Sequence, residues 1–200
     1  MKKIIKSLSL VIILIILLFF NAPHLFGVSE SEFSEIKSTI VKTCIKQVQK
    51  TKTKNIDISG FKAKDLNGNV VTSDIFSKNK LTMVNIWATW CGFCVDEMPE
   101  INKLYKNLPE GTNIISICTD ANESNESLNI AKEIMKKSNV EFITLIPDET
   151  LKKKLTDNIQ IFPTTVFVDN KGNTVGNPHS EENTAEGYMK SIKDHLKLIK

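Results

Sequence analysis

The chain has 200 residues, 41% hydrophobic and 24% charged, which fits a globular protein of one domain plus an attachment better than two full domains. Its formal net charge of +3 resides in Lys2, Lys3 and Lys6, so the remainder is formally neutral. With no basic surface and no arginine to grip phosphates, nucleic-acid binding is excluded as a function class. Four cysteines are too few for a disulfide-stapled miniprotein, and any special role for them must come from their spacing.

The lysine-bearing head is followed by an apolar run over residues 8–20, broken only by Ser9, which is the pattern of an export signal. Extended back to Ile4, the run reaches the short limit of a spanning helix. Residues 21–27 offer no clear small-residue cleavage site and no cysteine for a lipid, which favours an uncleaved signal-anchor; secretion after cleavage is the alternative. Positive flanks stay in the cytoplasm, so the domain beyond is expected to face outward, at the cell membrane. The division expected is therefore 1–28 signal or membrane anchor, 29–57 helix and linker, and 58–200 the main domain. Phe33, Ile36, Ile40, Cys44 and Val48 recur at a roughly helical interval, and the polar, lysine-rich stretch from Gln49 to Asn55 reads as a solvated linker.

An Asn67-Gly68 turn signal between short extended runs predicts a hairpin over 65–71. Beyond it the pattern alternates. Strands are expected at 81–88, 113–118, 142–146 and 164–168, and helices at 95–108, 128–137, 151–155 and 184–199. A turn over 169–173 closes the 164–168 strand. Such alternation predicts an α/β sandwich around a mixed sheet. Two Asn-x-Ser triplets, at Asn122 and Asn125, read as chance in an asparagine-rich chain.

The chemistry sits in Trp90-Cys91-Gly92-Phe93-Cys94, where a buried strand turns into a helix. The first sulfur there meets unpaired backbone N–H groups and the positive end of the helix dipole, which favour thiolate over thiol. Two intervening residues let the second thiol resolve a mixed disulfide made by the first. Cys91 is thus the expected nucleophile and Cys94 the resolving thiol, together a redox-active disulfide. Three other readings compete. Zinc would need a second ligand pair, whereas Cys44 and Cys118 stand alone; covalent haem would need His where Val95 stands; an inert structural disulfide needs neither.

This segment, with Pro99 five residues beyond Cys94 and Ile161-Phe162-Pro163-Thr164-Thr165 ahead of a strand, resembles the thioredoxin-fold active site and its facing cis-proline loop. The N-terminal segment, the 65–71 hairpin and Glu97 make it similar to the TlpA/ResA-like extracytoplasmic branch of thiol-disulfide oxidoreductases, over roughly residues 58–198. The resemblance implies a thioredoxin-like three-layer sandwich with a central mixed sheet and an added N-terminal β-hairpin. It also implies a cis Pro163, no cofactor and no metal, and substrate contacts from Trp90, Gly92, Phe93, Phe162 and Pro163. The buried Asp of ordinary thioredoxins, six residues before the first cysteine, is Asn85 here. Glu97 shares a helical face with Cys94 and by resemblance is its proton acceptor, so that it joins Cys91 and Cys94 as catalytic; a solvated helix carboxylate is the bland alternative. Pro99 would kink the helix. Implied partners are exported thiol or disulfide proteins, including apocytochrome c in some relatives, and a membrane thiol-disulfide electron donor.

Other residues read as scaffold. Trp87 is expected in the core, Asp96 on the surface, Cys44 and Cys118 as small buried hydrophobes, with a Cys44–Cys118 bridge or an intermolecular one through Cys44 as alternatives. His24, His179 and His195 share no ligand spacing and read as surface residues. Two rival functions remain. A thiol peroxidase would want one peroxidatic cysteine in a Pro- and Thr-lined pocket, and a non-catalytic binding module would have no need of both Cys91 and Cys94.

Overall fold

A computed structural model describes residues 55–180 and 184–199. The expected anchor, the 30–48 helix, the linker up to Lys54, Cys44 and His24 lie outside the described residues. Among those described, no helix is long and apolar enough to cross a membrane.

The strands are β1 (Lys62–Asp65), β2 (Val70–Thr72), β3 (Leu81–Trp87), β4 (Thr112–Cys118), β5 (Ile143–Ile146), β6 (Thr164–Asp169) and β7 (Thr174–His179). They form one mixed sheet in the order β2-β1-β5-β4-β3-β6-β7. The helices are α1 (Gly92–Tyr105), α2 (Asn125–Lys137), α3 (Glu149–Lys154) and α4 (Ala185–Leu196). Strands β3, β4 and β5 run parallel and step across the sheet in one direction. Right-handed crossovers then place α1 and α2 on the same face. Side chains confirm it: Met98 and Ile101 of α1, Ala131 and Met135 of α2 and Tyr188 and Ile192 of α4 share one core with Met83 and Trp87 of β3. The opposite core holds Val84 and Ile86 of β3 with Phe61, Phe76 and Leu151 of α3. Alternation along β3 thus feeds two layers, and the result is the thioredoxin-like three-layer α/β sandwich.

The added hairpin is β1–β2, attached antiparallel to β5. Its turn is built by Asp65, whose Oδ1 accepts the N–H groups of Asn67 and Asn69, with Gly68 at φ +89 where a side chain would be strained. Pairing with the domain starts ahead of residue 58: Thr174 donates to the Ile56 carbonyl, and Asp57 bridges Asn173.

Two elements depart from the expectations. Strand β7 reads as loop in sequence because Thr-Val-Gly-Asn-Pro-His is poor in β-formers, yet it occupies the sheet edge, where Pro178 forfeits no ladder bond. The 3-10 turn Ser73–Lys78 was likewise unexpected; it tucks Phe76 into the second core, edge-on to Phe61. Helix starts are capped by Ser124, Asp148 and Thr184, each accepting a backbone N–H, worth about 1 kcal/mol apiece. Ser124 also pairs with Ser127, so the serines of the Asn-x-Ser triplets have a local structural reason.

Candidate active site

Helix α1 begins without a conventional cap. Cys91 takes that place, its Sγ accepting the Cys94 N–H at 3.2 Å, and the two cysteines are joined in a disulfide. The Cys91 sulfur therefore sits at the helix terminus, as the strand-to-helix junction implied. The approach to it is pinned from below. Asp120, buried after β4, accepts both the backbone N–H and the hydroxyl of Thr89, and Thr119 bonds the Trp87 carbonyl. A buried carboxylate facing one loop fixes the backbone that carries Trp90 and Cys91.

Cys91 is 6% exposed and Cys94 fully buried, whereas Trp90 and Phe93 beside them are 71% and 68% exposed. Phe162 meets Trp90 edge-on at 5.5 Å, and the neighbouring Ile161 is also exposed. The Phe162–Pro163 bond is cis. Thr164, just beyond, is tied by its hydroxyl to the Ile161 carbonyl and to Ser180. Trp90, Phe93 and Ile161 thus expose apolar surface next to the disulfide and the cis-proline loop. Gly92 is exposed, and a side chain there would meet nothing within 4 Å, so its smallness is not forced by packing. Pro99 lies inside α1, where it removes the bond to the Val95 carbonyl.

The buried face of α1 carries Cys94, Glu97, Met98, Ile101, Asn102 and Leu104, and Glu97 is 1% exposed. Its carboxylate accepts Asn85 Nδ2 at 2.7 Å on Oε1 and the Tyr188 hydroxyl at 2.8 Å on Oε2. Asn85 points at α1 because it shares a face of β3 with Met83 and Trp87, and its register partner on β6 is Thr165. Thr165 completes the cluster at 3.4 Å from both Asn85 Nδ2 and the Tyr188 oxygen. Burial and the Glu97 charge push the Tyr188 phenol well above its ordinary range. Glu97 is thus not a solvated carboxylate. Asp96 is exposed, and Trp87 is in the core with its indole N–H on Ser116.

Cys118 is a free, buried thiol donating to Asp120 Oδ1, and burial with that neighbouring charge pushes its ionisation well above the ordinary 9.0. Its proton is held more tightly in the folded than in the unfolded chain. The resulting stabilisation is complete below about pH 9 and is lost as pH rises beyond it. Peptide mapping after iodoacetamide treatment at pH about 8 is expected to leave Cys118 unmodified in the native protein and modified in denaturant; native-state labelling would overturn this. The two described histidines differ from expectation. His179 is half-buried with its ring edge-on to Tyr188, and His195 lies flat on Phe167 at 3.9 Å, each packing an apolar ring body while keeping a polar tip.

Sequence reading missed Tyr188, Thr165 and Asp120. Tyr188 reads as one more core residue of α4, spaced with Ala185 and Ile192, and nothing local marks its hydroxyl. Thr165 had a signal: it stands directly opposite Asn85 once β3 and β6 are paired.

The family description that matches is Redoxin, over residues 45–192. The chain belongs to the Redoxin family. It is 30% identical over 142 residues to the thiol-disulfide oxidoreductase ResA of Bacillus thuringiensis subsp. konkukian, covering 70% of this chain and 74% of that protein. A match to a ResA of Bacillus cereus is 32% identical over 118 residues, 58% of this chain and 65% of that relative. The Redoxin-family chain thus spans just under two thirds of the latter's length. Among solved structures, a DsbF homologue from Corynebacterium diphtheriae superposes with a TM-score of 0.58 at 18% identity, covering 72% of this chain and 88% of that one. StoA from Bacillus subtilis gives 0.53 at 19%, covering 65% and 93%. These structures establish the fold. The ResA matches make the chain a TlpA/ResA-like member of the thioredoxin superfamily.

Proposed function

We propose that this protein is a thiol-disulfide oxidoreductase that works outside the cytoplasm and reduces disulfides of exported proteins. The observation that carries the reading is the Cys91–Cys94 pair at the start of α1, flanked by exposed Trp90 and Phe93, with Cys91 retaining a little exposed surface and Cys94 none. In the reduced protein the Cys91 thiolate attacks a substrate disulfide, forming a mixed disulfide and releasing one substrate thiolate. Cys94, losing its proton to Glu97, then attacks Cys91 Sγ. The second substrate thiolate leaves, and the Cys91–Cys94 disulfide remains. Two electrons have passed to the substrate, and a membrane dithiol donor resets the enzyme. Trp90, Gly92, Phe93, Phe162 and Pro163 form the surface against which the substrate backbone lies. Catalysed reduction of insulin disulfides with a small dithiol as donor tests the activity. Turnover of hydrogen peroxide without insulin reduction would instead favour a peroxidase, and neither activity a binding module.

The compartment rests on the apolar 8–20 run and on relatives such as the pneumococcal exposed lipoprotein thioredoxin. Tagged full-length protein is expected in the membrane fraction with its domain accessible to external protease, and residues 29–200 are expected to be soluble alone. Recovery of the full chain from the cytoplasm would sink the assignment.

A further inference from the structure

A buried carboxylate surrenders its charge unless donors face it. Two of the donors that face Glu97 are not equivalent. The Asn85 amide nitrogen can only donate, so the oxygen it faces, Oε1, is poorly placed to carry a proton. The Tyr188 hydroxyl on Oε2 can donate or accept. When Glu97 is charged, Tyr188 donates to it. When Glu97 has taken a proton on Oε2, that proton can point at the Tyr188 oxygen, whose own hydrogen then turns toward Thr165 Oγ1, 3.4 Å away.

From this geometry, and resting on the reading of Glu97 as proton acceptor for Cys94, we propose that Tyr188 is a positioning residue for the acid–base step: its hydroxyl keeps Glu97 charged and oriented, and selects Oε2 as the oxygen that receives the proton. A charge-assisted bond is about twice as strong as a neutral one, so the balance favours the charged form. Among the described residues the groups around the carboxylate include Cys94 one turn earlier on α1, Tyr188 of α4, uncharged Asn85 of β3 and uncharged Thr165 of β6. On the far side of Tyr188 stands His179 of β7, ring centroids 6.2 Å apart, and Glu100 further along α1 accepts the Ala185 N–H at the head of α4.

The test follows one chemical step. In full-length protein with Cys44→Ser, Cys91 is loaded with thionitrobenzoate and its release is followed by absorbance. Cys94 attacks Cys91 Sγ, the Cys91–Cys94 bond forms, the bond to thionitrobenzoate breaks, and the Cys94 proton passes to Glu97 while thionitrobenzoate leaves as thiolate. Release should rise with pH as Glu97 becomes charged. Tyr188→Phe is expected to move that rise to higher pH by about one unit or more, the size of a lost bond to a charged group. Fluorotyrosine, a stronger donor, moves it to lower pH; Tyr105→Phe confines the label to Tyr188, since the chain has two tyrosines. A Tyr188→Phe profile superimposed on the parent's, or lowered equally at every pH, overturns the proposal, and fluorotyrosine decides alone if Tyr188→Phe does not fold. Glu97→Gln separates the two claims. If it keeps the parent's rise at pH values below those at which the thiol itself ionises, the reading of Glu97 fails and this inference with it; if it loses that rise while Tyr188→Phe changes nothing, Tyr188 alone is refuted.

Discussion

Cys94→Ser is expected to accumulate a stable mixed disulfide between Cys91 and substrate, and Cys91→Ser to reduce turnover to background. Burial makes the two sulfurs unequal. Cys94 has no exposed surface, so no macromolecular disulfide can align with it, whereas Cys91 keeps a small exposed fraction and accepts the Cys94 N–H at the head of α1. A thiolate at Cys91 is favoured by that donor and by the helix dipole behind it. In Cys94→Ser the first attack proceeds, but the hydroxyl at position 94 cannot displace the substrate thiolate, so the adduct persists. Non-reducing electrophoresis and mass spectrometry of the insulin reaction would show it. An adduct recovered from Cys91→Ser instead would reverse the roles.

How far the sequence led is clearest at α1. Cys94, Glu97, Met98 and Ile101 fall at helical spacing, so the shared face of Cys94 and Glu97 was legible from four positions. What faces Glu97 was not. Its partners come from β3 and α4, about a dozen residues before it and some ninety after it, and only the folded sheet brings them together. The same holds for Asp120. In sequence it is one acidic residue in a polar loop, and its role depends on β4 lying beside β3 in register so that Cys118 stands opposite Trp87. Strand β7 was hidden for another reason: an edge strand supported on one side tolerates glycine and proline that a central strand would not.

Glu97→Gln is expected to lower the thiol pKa values of the reduced protein and to make its couple more oxidising. Gly92 and Phe93 put no positive charge between the cysteines, so the helix terminus is what favours the Cys91 thiolate. Against it stands a carboxylate on the buried face that holds Cys94, away from the screening of water. A like charge disfavours ionisation, which raises the thiol pKa values and destabilises the dithiol form relative to the disulfide. The couple should therefore lie nearer thioredoxin, at about −270 mV, than the oxidant DsbA, at about −120 mV, whose reduced form is stabilised. Removing the charge relieves the repulsion. Each unit by which the thiol pKa values fall corresponds to about 1.4 kcal/mol, or about 30 mV of upward shift for a two-electron couple. Equilibration with glutathione buffers measures the potential, and the pH dependence of alkylation measures the thiols. A parent potential above about −160 mV, on the same scale, would make the protein an oxidase. A Glu97→Gln variant with unchanged potential and unchanged thiol ionisation would mean that the buried charge is not felt at the sulfurs.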